Sequence, residues 1–260
     1  MESEHKELFE RGIQLLNENK LDEAIAVFTQ IIGLYSIAEK EKARSYFGRG
    51  NAYAKKKNYP HAIADYDKAI ELQPNYAAAY YNRGVVYQEQ GGYMRAIADF
   101  GEAIELKKDY VAAHYNRGIA YKRQGDYVRA IADYDKAIEL KKDYAAAYNN
   151  RGVAYSKQGA YTRAIADYDK AIELKKDYAV AYSNRGNAYQ EQGDYVRAIA
   201  DCDKAIELNP NNKNAIHNRG VAIALQQSEK EKEEFRQELQ KQLKAHQSDI
   251  LDVKQYKEKA

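Results

Sequence analysis

The sequence predicts an all-α solenoid of stacked antiparallel helix pairs, on three observations. Arg-Gly recurs with its glycine at Gly50, Gly84, Gly118, Gly152, Gly186 and Gly220, each step being 34 residues. Of the 25 tyrosines, 23 fall in six fixed slots of that unit, and only Tyr35 and Tyr256 lie outside. Within each unit, apolar and small residues recur at three- and four-residue steps in two stretches, the period of helices and not of strands.

With the glycine placed in slot 8, full units run near 43–76, 77–110, 111–144, 145–178 and 179–212. Gly12 opens an earlier, more divergent unit near 5–42, and a half unit occupies 213–227. The unit at 111–144 shows the logic. His114, Gly118 and Tyr121 share one face of a first helix; Gly125 supplies a left-handed stop and Asp126 an N-cap. The second helix puts Tyr127, Ala130, Tyr134, Ala137 and Leu140 on one face, and Asp143 is read as the cap of the next first helix. Glycine in slot 8 and alanine in slots 20 and 27 let the helices approach closely, with tyrosines filling the gaps. A helix pair cannot bury its apolar face alone, so neighbours must stack.

The ends differ. The first unit has Leu8, Leu15, Leu21 and Phe28 where others have tyrosine, and Gly33 to Lys42 holds extra residues, read as an elongated second helix. At the other end Ser228 and Glu231 have capping-box spacing, and Phe235, Leu239, Leu243, His246, Ile250 and Val253 follow at helical steps. Residues 228–260 are therefore expected as a capping helix, unbroken or interrupted near Ser248-Asp249, or else as a dimer strip.

Period, helix pair and slot residues together resemble the tetratricopeptide repeat family, over all but the ends of the chain. The resemblance implies a right-handed superhelix whose inner surface is lined by slots 2, 5, 6, 9, 12 and 13 of the first helices. One departure is systematic. The family often has tryptophan in slot 4 and leucine in slot 7, where this chain has mostly tyrosine and then arginine: Arg49, Arg83, Arg117, Arg151, Arg185 and Arg219. These arginines either pair with the slot-23 acids Asp65, Asp99, Asp133, Asp167 and Asp201 in a structural ladder or reach into the ligand groove.

Slot 6 is Asn82, Asn116, Asn150, Asn184 and Asn218, with Gly48 breaking the run. An amide carries donor and acceptor and can hold an extended backbone whatever its sequence. This is similar to the asparagine ladder of O-linked N-acetylglucosamine transferase repeats; the alternative is that these amides only join neighbouring helices. Around them the resemblance places Phe47, Tyr81 and Tyr115 in slot 5, Val85, Ile119 and Val153 in slot 9, and Lys122 and Arg123 in slots 12 and 13. The units at 111–144 and 145–178 differ at eight of 34 slots, four of them groove slots, as a fixed frame with a varied inner surface would. The expected ligand is an extended peptide segment of a protein partner. The carboxylate clamp of chaperone-binding relatives is missing, since slot 5 is never lysine and slot 2 after Arg44 is mostly alanine.

Other function classes find little support. The formal charge is +2 on 260 residues, and helical repeats that read RNA bases have a slightly longer period and a basic inner face, so no nucleic-acid partner is expected. There is no signal-like N-terminus and no apolar run long enough to span, so a cytoplasmic location without membrane contact is expected. Cys202 is the single cysteine and takes a tyrosine slot; the five histidines have no ligand spacing; every glycine belongs to the repeat. No catalytic group, metal or cofactor is expected. The rival reading is a structural protein that self-associates through its terminal helices.

Overall fold

The computed structural model describes residues 2–35 and 37–258, with side chains over 5–35 and 37–244. Among the described residues there are thirteen helices and no strand. They form two compact units, Met1–Gln158 and Gly159–Ala260.

The first unit holds α1 (Glu2–Asn17), α2 (Leu21–Ile32), α3 (Glu39–Lys55), α4 (Tyr59–Leu72), α5 (Ala77–Glu89), α6 (Tyr93–Leu106), α7 (Val111–Arg123), α8 (Tyr127–Leu140) and α9 (Ala145–Lys157). The second holds α10 (Tyr161–Leu174), α11 (Ala179–Glu191), α12 (Tyr195–Leu208) and α13 (Lys213–Glu258). Within each unit consecutive helices pack against each other, and first helices also touch first helices, α1 to α3, α5, α7 and α9 in turn, and α11 to α13. The expected solenoid of helix pairs is what the chain forms.

The tightness of each pair follows from side-chain size. Alanines in slots 20 and 27, such as Ala62, Ala69, Ala130 and Ala137, have no exposed surface. The slot-24 rings of Phe28, Tyr66, Phe100 and Tyr134 are equally buried, each contributing roughly 2–3 kcal/mol by area. They press against slot 8: a Cβ on Gly50, Gly84 or Gly118 would stand 2.8–2.9 Å from the nearest ring carbon of Tyr66, Phe100 or Tyr134. Slot 8 is glycine because the second helix has taken the space.

The turns between the two helices of a repeat close through one residue with positive φ. Gly91, Gly125, Gly159 and Gly193 have φ of 75–80°, and Asn19 and Lys57 hold the same place at 58°. Asp126 and Asp194 then cap α8 and α12 by accepting the N–H of Arg129 and Arg197. Asp143 does not cap α9: the N-cap is Tyr144, without a side-chain bond, and the Asp143 carbonyl accepts the N–H of Ala145.

Both ends depart from expectation. Helix α2 has 12 residues against 14 in α4, α6 and α8, so the extra residues do not lengthen it; they begin a connection at Gly33, its C-cap, and residues 39–42 extend the start of α3, which has 17 residues against 13 in α5 and α7. At the other end α13 runs 46 residues without a break through Ser228 and Ser248-Asp249, so the capping-box pair starts no helix. The difference lies at one slot: where other repeats have their positive-φ residue, glycine in four of them, this one has Gln227, and the helix continues through it. Phe235, Leu239 and Leu243 lie exposed on that extension, while the side chains of His246, Ile250 and Val253 lie outside the described residues.

Candidate functional site

The slot-7 arginines form a structural ladder. Arg49 holds Asp65, Arg83 holds Asp99, Arg117 holds Asp133 and Arg185 holds Asp201, each through two N–H donors at 2.7–2.8 Å to a buried carboxylate. The forked geometry joins first to second helix within a repeat. A second carboxylate, from slot 25 of the preceding repeat, completes several of them: Asp67 for Arg83 at 2.5 Å, Asp135 for Arg151 at 2.6 Å, Asp169 for Arg185 and Asp203 for Arg219. From the sequence alone slot 25 is either a solvated face or an ion pair; the structure shows ion pairs, reaching from one repeat to the next. Thr29 serves Arg49 instead, at 3.0 Å, and Gly101 leaves Arg117 without a second partner in that slot.

The slot-6 asparagines are engaged on the face where the first helices lie side by side. Asn116 donates an amide hydrogen to the Tyr81 hydroxyl and Asn150 to that of Tyr115, both at 2.8 Å. Asn82 donates to Asn51 Oδ1 at 2.7 Å, which also accepts the Tyr66 hydroxyl at 2.8 Å. Each of the three asparagine donations ties one repeat to the one before, while the Tyr66 bond lies within its own repeat. Asn150 is used further: it donates to the Ala146 carbonyl at 3.1 Å, and its oxygen accepts Lys122 Nζ at 2.5 Å. Burial lowers the Lys122 pKa from the ordinary lysine value, with Arg123 adding repulsion.

The slot-5 aromatics are half-buried braces as well as lining. Phe47 lies 5.9 and 4.9 Å from the Tyr66 and Tyr76 rings, Tyr81 5.7 and 4.9 Å from Phe100 and Tyr110, and Tyr115 6.0 and 4.7 Å from Tyr134 and Tyr144. Ile119 and Val153 are half-buried on α7 and α9, Arg123 is exposed, and in the second unit Asn184 and Asn218 are half-buried.

One cavity gathers several of these positions. It has a volume of about 430 Å³ between α1, α3 and α5, with Ile13, Leu16, Val85 and Val86 as apolar wall and Asn51, Asn82 and Lys55 as polar wall. Lys55 donates to the Leu16 carbonyl at 2.9 Å, which fixes its ammonium at the rim. Among the predicted residues, Asn82 and Val85 meet here. Ile13 and Leu16 were missed because the first unit diverges, yet with Gly12 in slot 8 they fall in slots 9 and 12, the groove slots. Cys202, by contrast, is fully buried under Gly186, and burial pushes its thiol up to about 11, which makes it an inert core residue. His114 is likewise a buried packing residue, with Nε2 3.1 Å from the Lys108 carbonyl.

Helix pairs stacked so that their first helices share one lined face define a repeat scaffold. The chain belongs to the tetratricopeptide repeat family: TPR repeat models match residues 50–91, 89–125, 120–159 and 154–193, and a tetratricopeptide repeat model matches 179–212. The structure is similar to that of YrrB, described as a TPR protein with an unusual peptide-binding site, with TM-score 0.64 and 26% identity over 74% of this chain and 97% of that one. It is also similar to MamA, with TM-score 0.61 and 28% identity over 65% and 92% of the two chains. The likeness to pilF of Pseudomonas aeruginosa is one of fold, with TM-score 0.72 at 15% identity over 85% and 98%. In sequence, 64 residues are 33% identical to the peptidyl-prolyl cis-trans isomerase CYP7 of Saccharomyces cerevisiae, covering 25% of this chain and 16% of that protein. No described helix is long and apolar enough to cross a membrane.

Proposed function

We propose that this chain is a protein-interaction scaffold that holds an extended segment of a partner protein against its first-helix face, anchored in the cavity between α1, α3 and α5. The observation that carries the reading is that cavity, where apolar wall, amides and an ammonium converge. An apolar side chain fills the space between Ile13, Leu16, Val85 and Val86. The neighbouring backbone pairs with the oxygen that the Asn82 amide keeps beside its bond to Asn51, and with the Asn116 amide one repeat further along the face. Lys55 spends one donor on Leu16 and offers the others to an acidic residue of the partner. Asn150, which also binds Ala146 and Lys122, acts as a strut more than a rung. The peptide-binding site in the description of YrrB supports the same class of ligand. Asn184 and Asn218 are the corresponding positions of the second unit, and no reaction is assigned to the chain.

The test is selection of peptides from a random displayed library on the whole chain and on a Val85→Trp variant, with circular dichroism showing both folded. The reading requires enriched peptides with an apolar anchor that lose about tenfold or more in affinity on the variant. No enrichment, or equal binding to both, overturns it.

A second reading, self-association through the end of α13, is favoured by Phe235, Leu239 and Leu243 standing on its surface. A sedimentation series that stays monomeric at all concentrations would remove it.

A further inference from the structure

Within the two units, the first helices α1, α3, α5, α7 and α11 are each covered by the second helix of their own repeat. The first stretch of α13, residues 213–227, is a repeat's first helix without that partner. Its slot-8 residue, Gly220, has nothing within 4 Å of where a Cβ would stand, whereas Gly50, Gly84 and Gly118 meet aromatic rings and Gly186 meets Cys202 Sγ at 3.1 Å. Ile216 in slot 4 is 49% exposed. The Arg219 side chain is 43% exposed, against 18–24% for Arg49, Arg83 and Arg117, and it keeps only Asp203, from the preceding repeat. Among the described residues no slot-23 carboxylate faces it, because the helix runs straight on through Gln227 to Glu258.

We propose that this uncovered side of α13 is a seat for an amphipathic helix of a partner protein, of the pattern small-x-x-acid-aromatic-x-x-small. The other repeats of the chain show what fits. In α8 the pattern is Ala130, Asp133, Tyr134 and Ala137, with Asp133 bonded to Arg117 and Tyr134 laid on Gly118. On α13 the acid would pair with Arg219, the ring would cover Gly220, and the small residues would let the helix approach Ile216 and Ile223. The chain's own continuation is a poor occupant. Counted in repeat register it sets Lys232 where the first small residue belongs and Arg236 where the ring belongs, a second cation beside Arg219. The same holds for that segment of a second copy. The seat lies on a different side of the first helices from the peptide-binding face, so the two proposals stand or fall separately.

The test uses the whole chain and a labelled synthetic peptide with the sequence of residues 127–140, held helical by a lactam between Ala132→Glu and Lys136 on its solvent side, titrated by fluorescence anisotropy. Expected is saturable binding that weakens at least about tenfold when the protein carries Gly220→Leu and likewise when the peptide carries Asp133→Asn, with Val85→Trp leaving it unchanged. Gly220 is exposed and helical, so the leucine does not threaten folding. Absence of saturable binding, or equal binding to parent and Gly220→Leu, overturns the proposal. So does a dimer in sedimentation that Gly220→Leu dissolves, which would give the seat to a second copy.

Discussion

The helix pairs α3–α4 and α7–α8 share one backbone plan and close their polar groups differently. In α3–α4 the Tyr66 hydroxyl reaches Asn51, and Arg49 is completed by Thr29 besides Asp65. In α7–α8 slot 9 is Ile119, so the Tyr134 hydroxyl is buried without a partner, and Arg117 depends on Asp133 with Gly101 opposite. Between them, α5–α6 pairs Val85 with Phe100, where no hydroxyl needs an acceptor. In the same pair the Tyr115 hydroxyl does have a partner, accepting from Asn150. The scaffold is thus fixed by size, while its hydrogen bonds are set by pairs of slots that must agree: 9 with 24, 5 with the next 6, and 7 with the previous 25.

The largest break in the comparison is expected at the carboxylates. Asp133→Ala leaves Arg117 buried with no acid and should cost about 3–5 kcal/mol in urea unfolding; Asp65→Ala, with Thr29 still on Arg49, should cost roughly 1 kcal/mol less. A reversed order would mean that the second partner carries no weight. Next comes slot 8. Gly118→Ala drives a methyl into the Tyr134 ring and should destabilise by about 1–3 kcal/mol, whereas Gly220→Ala, in open space, should stabilise by about 1 kcal/mol through helix propensity. Equal signs in thermal melts would refute the uncovered seat.

Two smaller effects sharpen the contrast. Tyr66→Phe removes a made bond and should lose about 1 kcal/mol, while Tyr134→Phe removes an unmet hydroxyl and should leave stability unchanged or raise it by up to about 1 kcal/mol. A loss at Tyr134 equal to that at Tyr66 would show an acceptor the structure lacks. Last, Gly101→Asp supplies Arg117 with the second carboxylate that Arg83 has in Asp67; relative to Gly101→Ala it should gain about 0.5 kcal/mol at low salt and nothing at 1 M salt.

The sequence carried the fold because the repeat is strict: the period sets the helix pairs, and glycine at four of the turns shows where those pairs fold back, while Lys57 makes the same turn without that signal. It carried the arginine ladder as one of two alternatives, since slots 7 and 23 share a pair. What it could not carry depends on residues 35 positions apart. That Asn116 also bonds a neighbouring repeat depends on Tyr81, one repeat away, and the same is true of Asn150 and Tyr115. The end of α13 was misread for the opposite reason. Ser228 and Glu231 are a good local start signal, but no start is needed where Gln227 keeps the preceding helix going.

The bonds that join these helices span short stretches of chain: 15 positions for Tyr66 to Asn51, 16 for each arginine pair, 39 for Lys55 to Leu16. Closing such loops costs little entropy, and none needs the distant end of the molecule to be in place. Within each compact unit the chain is therefore built to fold quickly and piecemeal, with nucleation open to any repeat and growth to its neighbours. A nascent chain leaving the ribosome can thus finish each helix pair before the next has been made.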